Sequence, residues 1–223
     1  MITHGLAKYY IENYKIDADK ITVLPDGYTD NAFGQIEKRD ILKDAKLNIG
    51  YCGGFIKGKG LEIIRELSSK DNRNNYNMFG GTKEDAERVM DNMFAENVSF
   101  GGYVPNAKVP QVLNEQDVLL LPNQKQQVCK NEDIGMVTSP LKMFEYMASE
   151  RVIIASDIPV LREVLNDENS YLVKADNVDE WLDTINYISN HRQEALKKAQ
   201  RACVDVKQYS WMKRAERMLM LCK

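Results

Sequence analysis

Hydrophobic positions follow two alternating periods along most of this chain. Short apolar runs predict strands, and stretches with apolar residues three and four apart predict amphipathic helices. The predicted strands are Ile21–Leu24, Leu47–Cys52, Tyr76–Phe79, Val98–Phe100, Asp117–Leu121, Val152–Ala155 and Ser170–Val173. The predicted helices include Thr3–Tyr14, one carrying Leu61, Ile64 and Leu67, then Lys83–Phe94, Ala107–Leu113, one opened by Pro159, and Trp211–Leu221. This alternation predicts an α/β fold with a doubly wound parallel sheet covered by helices on both faces.

The stretch Ser139–Ala148 is the predicted centre of this fold. Ser139 followed by Pro140 is a typical helix start, in which the hydroxyl caps a free N–H and proline occupies the first helical position. A helix that starts between parallel strands presents backbone N–H groups and a positive dipole end, which favours a phosphate-bearing ligand. Lys142 and Glu145 lie three apart on this helix. The alternative interpretation is that they form an ordinary solvated pair.

A glycine-rich segment, Gly53–Gly60, links the second predicted strand to a helix. It nearly matches a Walker A loop, but Gly60 stands where Ser or Thr must hold magnesium, and a nucleotide triphosphatase is rejected. Glycines still allow a ligand to approach the backbone, and Lys59 at a helix start can meet a phosphate as a point charge. The alternative is that these glycines only form the turn.

Composition excludes several functional classes. The 223 residues are 43% hydrophobic and 28% charged, as expected of an ordinary globular protein, and the net charge of −3 indicates no nucleic-acid partner. No apolar run approaches the ~20 residues of a membrane span, and the first residues lack the order of a signal peptide. We therefore expect a cytoplasmic protein.

Metal chemistry has little support in the sequence. Four cysteines without close spacing (Cys52, Cys129, Cys203, Cys222) and two histidines predict neither a zinc site nor a disulfide framework. Asp17-Ala18-Asp19 precedes a predicted strand, at the wrong end of the sheet for a ligand, and is interpreted as a surface turn. Glu132 and Asp133, in a polar loop with Lys125 and Lys130, are interpreted as solvated and not catalytic.

Taken together, these stretches resemble the carboxy-terminal, donor-binding half of a GT-B glycosyltransferase of family 4 (glycosyl transferases group 1). The matches run in order over nearly the whole chain, at Val23–Gly27, Gly53, Lys59–Gly60, Gly80–Gly81, Gly101, Asp117–Pro122, Glu145–Ala148, Ala155–Asp157, Tyr171–Val173 and Tyr209–Trp211. The resemblance implies a Rossmann-like domain that forms one half of a GT-B architecture. It also implies a retaining transfer from a nucleotide-diphosphate sugar to a glycan or lipid-linked acceptor, as in polysaccharide biosynthesis.

The resemblance implies a role for each matching residue. Lys59 would contact the donor diphosphate beside Gly53 and Gly54, and Glu145 would accept hydrogen bonds from the ribose hydroxyls, which makes Lys59 and Glu145 the catalytic candidates. Main-chain groups at Tyr103 and Val104 would hold the base. The groups that would cradle the distal phosphate and the sugar are those of Thr138, Ser139, Pro140 and Leu141. The base, UDP- or GDP-linked, is not distinguished, and the family needs neither a cofactor nor a metal.

Two positions depart from the family pattern. Gly54 replaces the arginine that usually accompanies the loop lysine, and Val137 replaces the first glutamate of the Glu-x7-Glu pair. The first change reduces the positive charge that faces the diphosphate, and the second changes how the sugar is held. Lys142 is our hypothesis for a replacement phosphate contact.

The resemblance covers only half of a complete enzyme. It divides the chain into residues 1–20, a helical lead-in from an amino-terminal acceptor domain that is missing, 21–205, the donor-binding domain, and 206–223, a carboxy-terminal helix. Alone, the chain would bind donor and transfer little or nothing, with the acceptor domain supplied in cis or in trans. The alternatives are a stand-alone nucleotide-sugar binding subunit of a split enzyme, or a sugar-nucleotide epimerase of the same architecture.

Peripheral association with the inner face of the membrane stays open. The residues that would favour an anionic surface are Lys207, Lys213, Arg214 and Arg217. A solvated helix face is the commoner explanation for such residues.

Overall fold

The computed structural model describes residues 1–90, 93–126, 128–129, 132–133, 135 and 137–221, with the backbone alone at 128–129 and 132–133. Its helices are α1 (His4–Tyr14), α2 (Asp30–Gly34), α3 (Leu61–Lys70), α4 (Lys83–Met90), α5 (Val109–Asn114), α6 (Leu141–Ala148), α7 (Pro159–Arg162), α8 (Val178–Asn190), α9 (Arg192–Asp205) and α10 (Trp211–Leu221). Its strands are β1 (Asn48–Cys52), β2 (Asn75–Phe79), β3 (Val98–Phe100), β4 (Val118–Leu121), β5 (Val128–Cys129), β6 (Glu132–Asp133), β7 (Val152–Ser156) and β8 (Tyr171–Val173).

Six strands form one sheet that is parallel throughout, as the sequence predicts. Their order is β3-β2-β1-β4-β7-β8. The order reverses direction between β1 and β4, and ligands of such sheets bind outside the carboxyl ends of the strands at that point. β5 and β6 form a separate antiparallel pair within the polar loop.

The sheet is buried on both faces because successive side chains of a strand point in opposite directions. In β7, Val152 and Ile154 pack into the core beneath α3 and α8, whereas Ile153 and Ala155 pack into the core beneath α5 and α6. All five residues of β7 are buried. An uninterrupted apolar run such as this one is therefore required in a central strand.

One predicted strand is wrong. Residues 21–24 are not part of a strand, and their backbone bonds instead to the first residue of the chain: Met1 donates from its amino group to the Thr22 oxygen, and Leu24 donates to the Met1 oxygen. The segment that follows pairs with the residue just before α10 through a parallel bridge between Tyr28 and Ser210. Apolar β-branched residues alone do not make a strand without a neighbouring strand to pair with.

Candidate functional site

A crevice lies between the carboxyl ends of β1 and β4, where a tyrosine side chain separates the two strands. These strands pair only at Ile49 with Val118 and Gly50 with Leu119. Beyond that point the Cys52 N–H donates to the Tyr146 hydroxyl at 2.8 Å, and that hydroxyl donates to the Cys52 oxygen at 3.3 Å. A side chain of α6 thus replaces the strand partner of β1, and the two strands separate at their carboxyl ends.

The glycine-rich segment is held across this crevice. Gly60 has a φ of +79°, and a Cβ there would overlap the Pro122 oxygen, so the close approach to the segment after β4 requires glycine. The Gln124 N–H donates to the Gly58 oxygen at 3.0 Å, and the Lys59 N–H donates to the Ile56 oxygen at 3.1 Å. These contacts fix Lys59 at the point where the strand order reverses.

Helix α6 starts differently from the sequence prediction. Pro140 occupies the N-cap position and not the first helical position, and its side chain makes no capping hydrogen bond. The Ser139 hydroxyl, expected to be the cap, instead hydrogen-bonds the half-buried Asp26. The side chain of the N-cap residue therefore satisfies none of the first N–H groups of α6, and a helix amino terminus of this kind favours an anion.

Lys142 lies in the first turn of α6 and is not part of a solvated pair with Glu145. Its Nζ is buried without a hydrogen-bond partner among the described residues and lies 4.1 Å from the centre of the Tyr51 ring. Its Cδ would be 3.4 Å from a Cβ at Gly53, which places its stem against the glycine-rich segment. Burial, and then the positive charge of Lys59, lower the pKa of Lys142 to about 7.

Glu145 lies one turn further along α6 and is half-buried. Burial alone raises the pKa of its carboxyl group, without a contribution from a neighbouring cation. Burial is the main cause that raises the pKa of the Cys52 thiol to about 11, with Glu145 raising it further and Lys142 lowering it. We call Cys52, Lys59, Lys142 and Glu145 the carboxyl-edge cluster.

Other predicted site residues lie elsewhere along the same edge. Tyr103 and Val104 follow β3, the edge strand, two strands away from β1; the Tyr103 ring is 79% exposed, and Val104 packs against the core beneath α6. A Cβ at Gly54 would be in ordinary contact with Ile56 alone, Leu141 is 51% exposed, and Thr138 and Ser139 precede α6. The structure therefore brings Gly53, Lys59 and Lys142 together, and it does not bring Tyr103 into the cluster.

The acidic candidates give no metal site. No group of three or more possible metal ligands occurs among the residues that the structure describes. Asp17 begins an exposed turn, in which its side chain accepts from the Asp19 N–H, as predicted. The side chains of Glu132 and Asp133 lie outside the described atoms, and Lys130 and Cys222 lie outside the described residues.

A cavity of about 760 Å³ borders the glycine-rich segment on a side that the sequence did not single out. Its lining includes Lys57, Glu62, Lys125 and Asp176, and does not include the carboxyl-edge cluster. The carboxyl-edge cluster is a better candidate anion site than the cavity, because the cavity lining mixes positive and negative side chains. Within the described ranges, no helix has the length and apolar character needed to cross a membrane.

Sequence reasoning missed the two tyrosines that build the site. Tyr51 is buried, its ring lies under the Lys142 ammonium, and its hydroxyl donates to the Gly54 oxygen at 3.1 Å. Tyr146 is buried and opens the crevice. The available signal was a tyrosine in an otherwise apolar position of a strand or helix that borders a glycine-rich turn, since a buried phenol must find a partner.

Comparison with known proteins agrees with this fold. A Klebsiella pneumoniae protein, described as an uncharacterized 41.2 kDa protein in cps region, is 27% identical over 128 residues, which are 56% of this chain and 32% of that protein. A glycosyltransferase from Rickettsia africae ESF-5 has a TM-score of 0.78 at 16% identity, over 99% of this chain and 61% of that chain. Alr3699/HepE from Anabaena, in a crystal structure with UDP, has a TM-score of 0.78 at 13% identity, over 99% of this chain and 62% of that chain.

The solved structures share the fold, and the chain spans about a third of the curated relative and about three fifths of these two structures. A family model described as Glycosyl transferases group 1 matches residues 46–191, which is more than half of the sequence. The chain therefore belongs to the family Glycosyl transferases group 1.

Proposed function

We propose that this chain is the carboxy-terminal, donor-binding half of a family 4 glycosyltransferase of GT-B architecture. It holds a nucleotide-diphosphate sugar at the carboxyl-edge cluster and stabilises the diphosphate as it leaves, in a retaining transfer to a glycan or lipid-linked acceptor. The observation that carries the proposal is the convergence of Lys59 and Lys142 beside the start of α6, in the crevice between β1 and β4. Two cations and a helix amino terminus form an anion site.

Each member of the cluster has a distinct role in this proposal. Lys59 binds the diphosphate as a point charge, and Lys142 supplies the second cation that Gly54 does not. Preorganised positive charge of this kind stabilises a departing diphosphate more in the transition state than in the bound donor. The main chain of Thr138–Leu141 faces the distal phosphate and the sugar.

Glu145 accepts hydrogen bonds from the ribose hydroxyls. A half-buried carboxylate whose pKa is raised by burial alone lacks compensating donors, and two vicinal hydroxyls supply them. Main-chain groups at Tyr103 and Val104 hold the base at the end of β3. The solved relative with UDP makes UDP the first nucleotide to test.

The acceptor is bound by a part of the enzyme outside residues 1–223, in cis or in trans. The chain spans about three fifths of its solved relatives, which accommodates such a part. In this proposal, residues 1–20 lead in from that part, 21–205 bind the donor and 206–223 form the terminal helix. The chain by itself transfers little sugar, and the complete enzyme works in the cytoplasm.

The test is a thermal shift of this chain with UDP, GDP, ADP and their glucose conjugates, without added metal. At a hundredfold excess over its dissociation constant, a true ligand adds ~2.7 kcal/mol, which gives a visible rise in the melting temperature. We expect one diphosphate to raise it and the matching nucleoside to leave it unchanged. The proposal is wrong if none of these ligands shifts the melting temperature and calorimetry also detects no binding.

A further inference from the structure

The Lys142 amino group is buried without a hydrogen-bond partner of either charge among the described residues. Its nearest aromatic neighbour is Tyr51, which is itself 1% exposed. The ring face offers some stabilisation to an ammonium, but not a proton acceptor. An ammonium held in this way is costly compared with the neutral amine.

The groups that face Lys142 explain why its neutral amine is favoured over the ammonium. From β1 come the Tyr51 phenol and the Cys52 thiol, whose pKa values are both raised by burial, so that both are neutral at physiological pH. From the glycine-rich segment comes Lys59, which has the same sign of charge as Lys142 and opposes its protonation. From its own helix comes Glu145, whose carboxyl group has a pKa raised by burial. Cys52 raises the pKa of Lys142, but by less than burial and Lys59 lower it.

We propose that Lys142 couples donor recognition to proton uptake: the neutral amine takes up one proton when a diphosphate binds beside Gly53 and Lys59, and the resulting ammonium is the second cation of the site. This inference rests on the proposed function. The proton comes from the solvent, and no covalent bond is made or broken. The physical cause is that two phosphate charges next to the amine favour its charged form, which burial and Lys59 otherwise disfavour.

The sign of the pH dependence follows from linkage. Below about pH 7 the amine is already protonated in the free protein, so the affinity for the diphosphate is at its highest and no proton is taken up. Above this pH, each binding event must also protonate Lys142. The affinity then falls as pH rises, by up to ~tenfold per pH unit.

The experiment is isothermal titration calorimetry with UDP-glucose, GDP-glucose and ADP-glucose. Both phosphates of these compounds are esterified and lack the second ionisation of a terminal phosphate at about pH 6, so the phosphates do not titrate in the window used. Measurements in two buffers of different ionisation enthalpy give the number of protons taken up. We expect close to one proton per ligand at pH 8.5 and close to none at pH 6.

Two variants and a control isolate the residue. Lys142→Arg keeps a charge that does not titrate, and we expect its affinity to be independent of pH, without proton uptake. Lys142→Met removes the charge, and we expect weaker binding at pH 6, also without proton uptake. Lys197→Met removes a matched exposed lysine from α9, and we expect it to behave as the unmodified chain.

Three results would overturn the inference. Binding of a nucleotide sugar without proton uptake at pH 8.5, or the same pH dependence in Lys142→Arg, would overturn it and leave the proposed function intact. Absence of binding by all three nucleotide sugars at every pH would overturn the proposed function and the inference with it.

Discussion

Two groups of buried charge lie at opposite edges of the same sheet, and the protein treats them differently. At the amino edge, Arg151 is 2% exposed and donates to the Ser149 oxygen, the Arg39 oxygen and the Asn114 Oδ1 at 2.8 to 3.1 Å. At the carboxyl edge, Lys142 has a buried ammonium and no hydrogen-bond partner in the described part of the chain.

The acidic residues repeat this contrast. Asp117, just before β4, accepts from Arg39 and from the N–H groups of Leu42 and Asn48 at 2.8 to 2.9 Å. The pKa of the Glu145 carboxyl group is raised by burial alone. A charge that is satisfied within the chain belongs to the scaffold, whereas a buried charge left without a partner is prepared for a ligand.

The largest expected effect is on folding stability at the amino edge, where the buried charges have hydrogen-bond partners. Arg151→Met should lower the free energy of unfolding by ~3–5 kcal/mol, because it removes the three hydrogen bonds that the buried guanidinium donates to the Ser149 oxygen, the Arg39 oxygen and the Asn114 Oδ1. Urea unfolding monitored by circular dichroism measures this loss. Arg162→Met is the control, since it breaks an exposed pair with Asp157 and should cost no more than ~1 kcal/mol. Equal losses for the two variants would remove the distinction between the edges.

The next effect concerns ligand binding. Glu145→Ala should weaken nucleoside diphosphate binding by ~1–3 kcal/mol, the usual loss for a hydrogen bond to a charged group. Calorimetry measures the dissociation constant, and Glu84→Ala, an exposed carboxylate on α4, serves as the control. An unchanged dissociation constant for Glu145→Ala would contradict the ribose assignment.

Lys142→Met should have the opposite effect on stability from Arg151→Met. In the unfolded chain this lysine holds its proton up to its ordinary pKa of 10.5, and in the folded chain only up to about 7. The unfolded state therefore binds more protons between these values, and the stability of the unmodified chain rises with pH across that window. At pH 6 the methionine variant should be more stable by about 1 kcal/mol or more, and the difference should shrink toward pH 10. A variant that is less stable at pH 6 would show that the ammonium is satisfied after all.

The smallest expected effect is on diphosphate affinity and comes from adding a positive charge at Gly54. A Cβ at Gly54 would meet only Ile56, at 3.6 Å, so Gly54→Arg should be accommodated. The added guanidinium is expected to strengthen diphosphate binding by up to ~1 kcal/mol, because it is exposed to solvent. A loss of affinity with an unchanged melting temperature would mean that Lys142 already occupies the place of the second cation.

The sequence predicted the fold well because its strands are sharply defined. Val152–Ala155 and Val98–Phe100 lie within or match the observed strands, and the last helix runs from Trp211 to Leu221 as predicted. The segment 21–24 failed because periodicity does not reveal whether a second strand is available for pairing. Strands β5 and β6 have only two residues each, which is too short to produce a recognisable hydrophobic pattern in the sequence.

The site was predicted only in part. Lys59 was identified from its position at a helix start, Glu145 from the resemblance to the family, and Lys142 as a replacement for a missing cation. All three stay predictions as ligand contacts. That Ser139 would hydrogen-bond Asp26 and not the helix could not be foreseen, because Asp26 is distant in sequence and becomes a neighbour only in the folded chain. The same reason hid Tyr51 beneath Lys142 and Tyr146 beside Cys52.

The central claim is that the carboxyl edge binds a nucleotide diphosphate and the amino edge does not. A titration of the ¹⁵N-labelled chain with UDP and GDP, followed by the chemical shifts of the backbone amides, tests it directly. We predict the largest shifts at Gly53, Gly54, Leu141 and Lys142, with the amides next to Arg151 unchanged. Shifts concentrated around Asn114 and Arg151, or an absence of shifts with both nucleotides, would contradict the account.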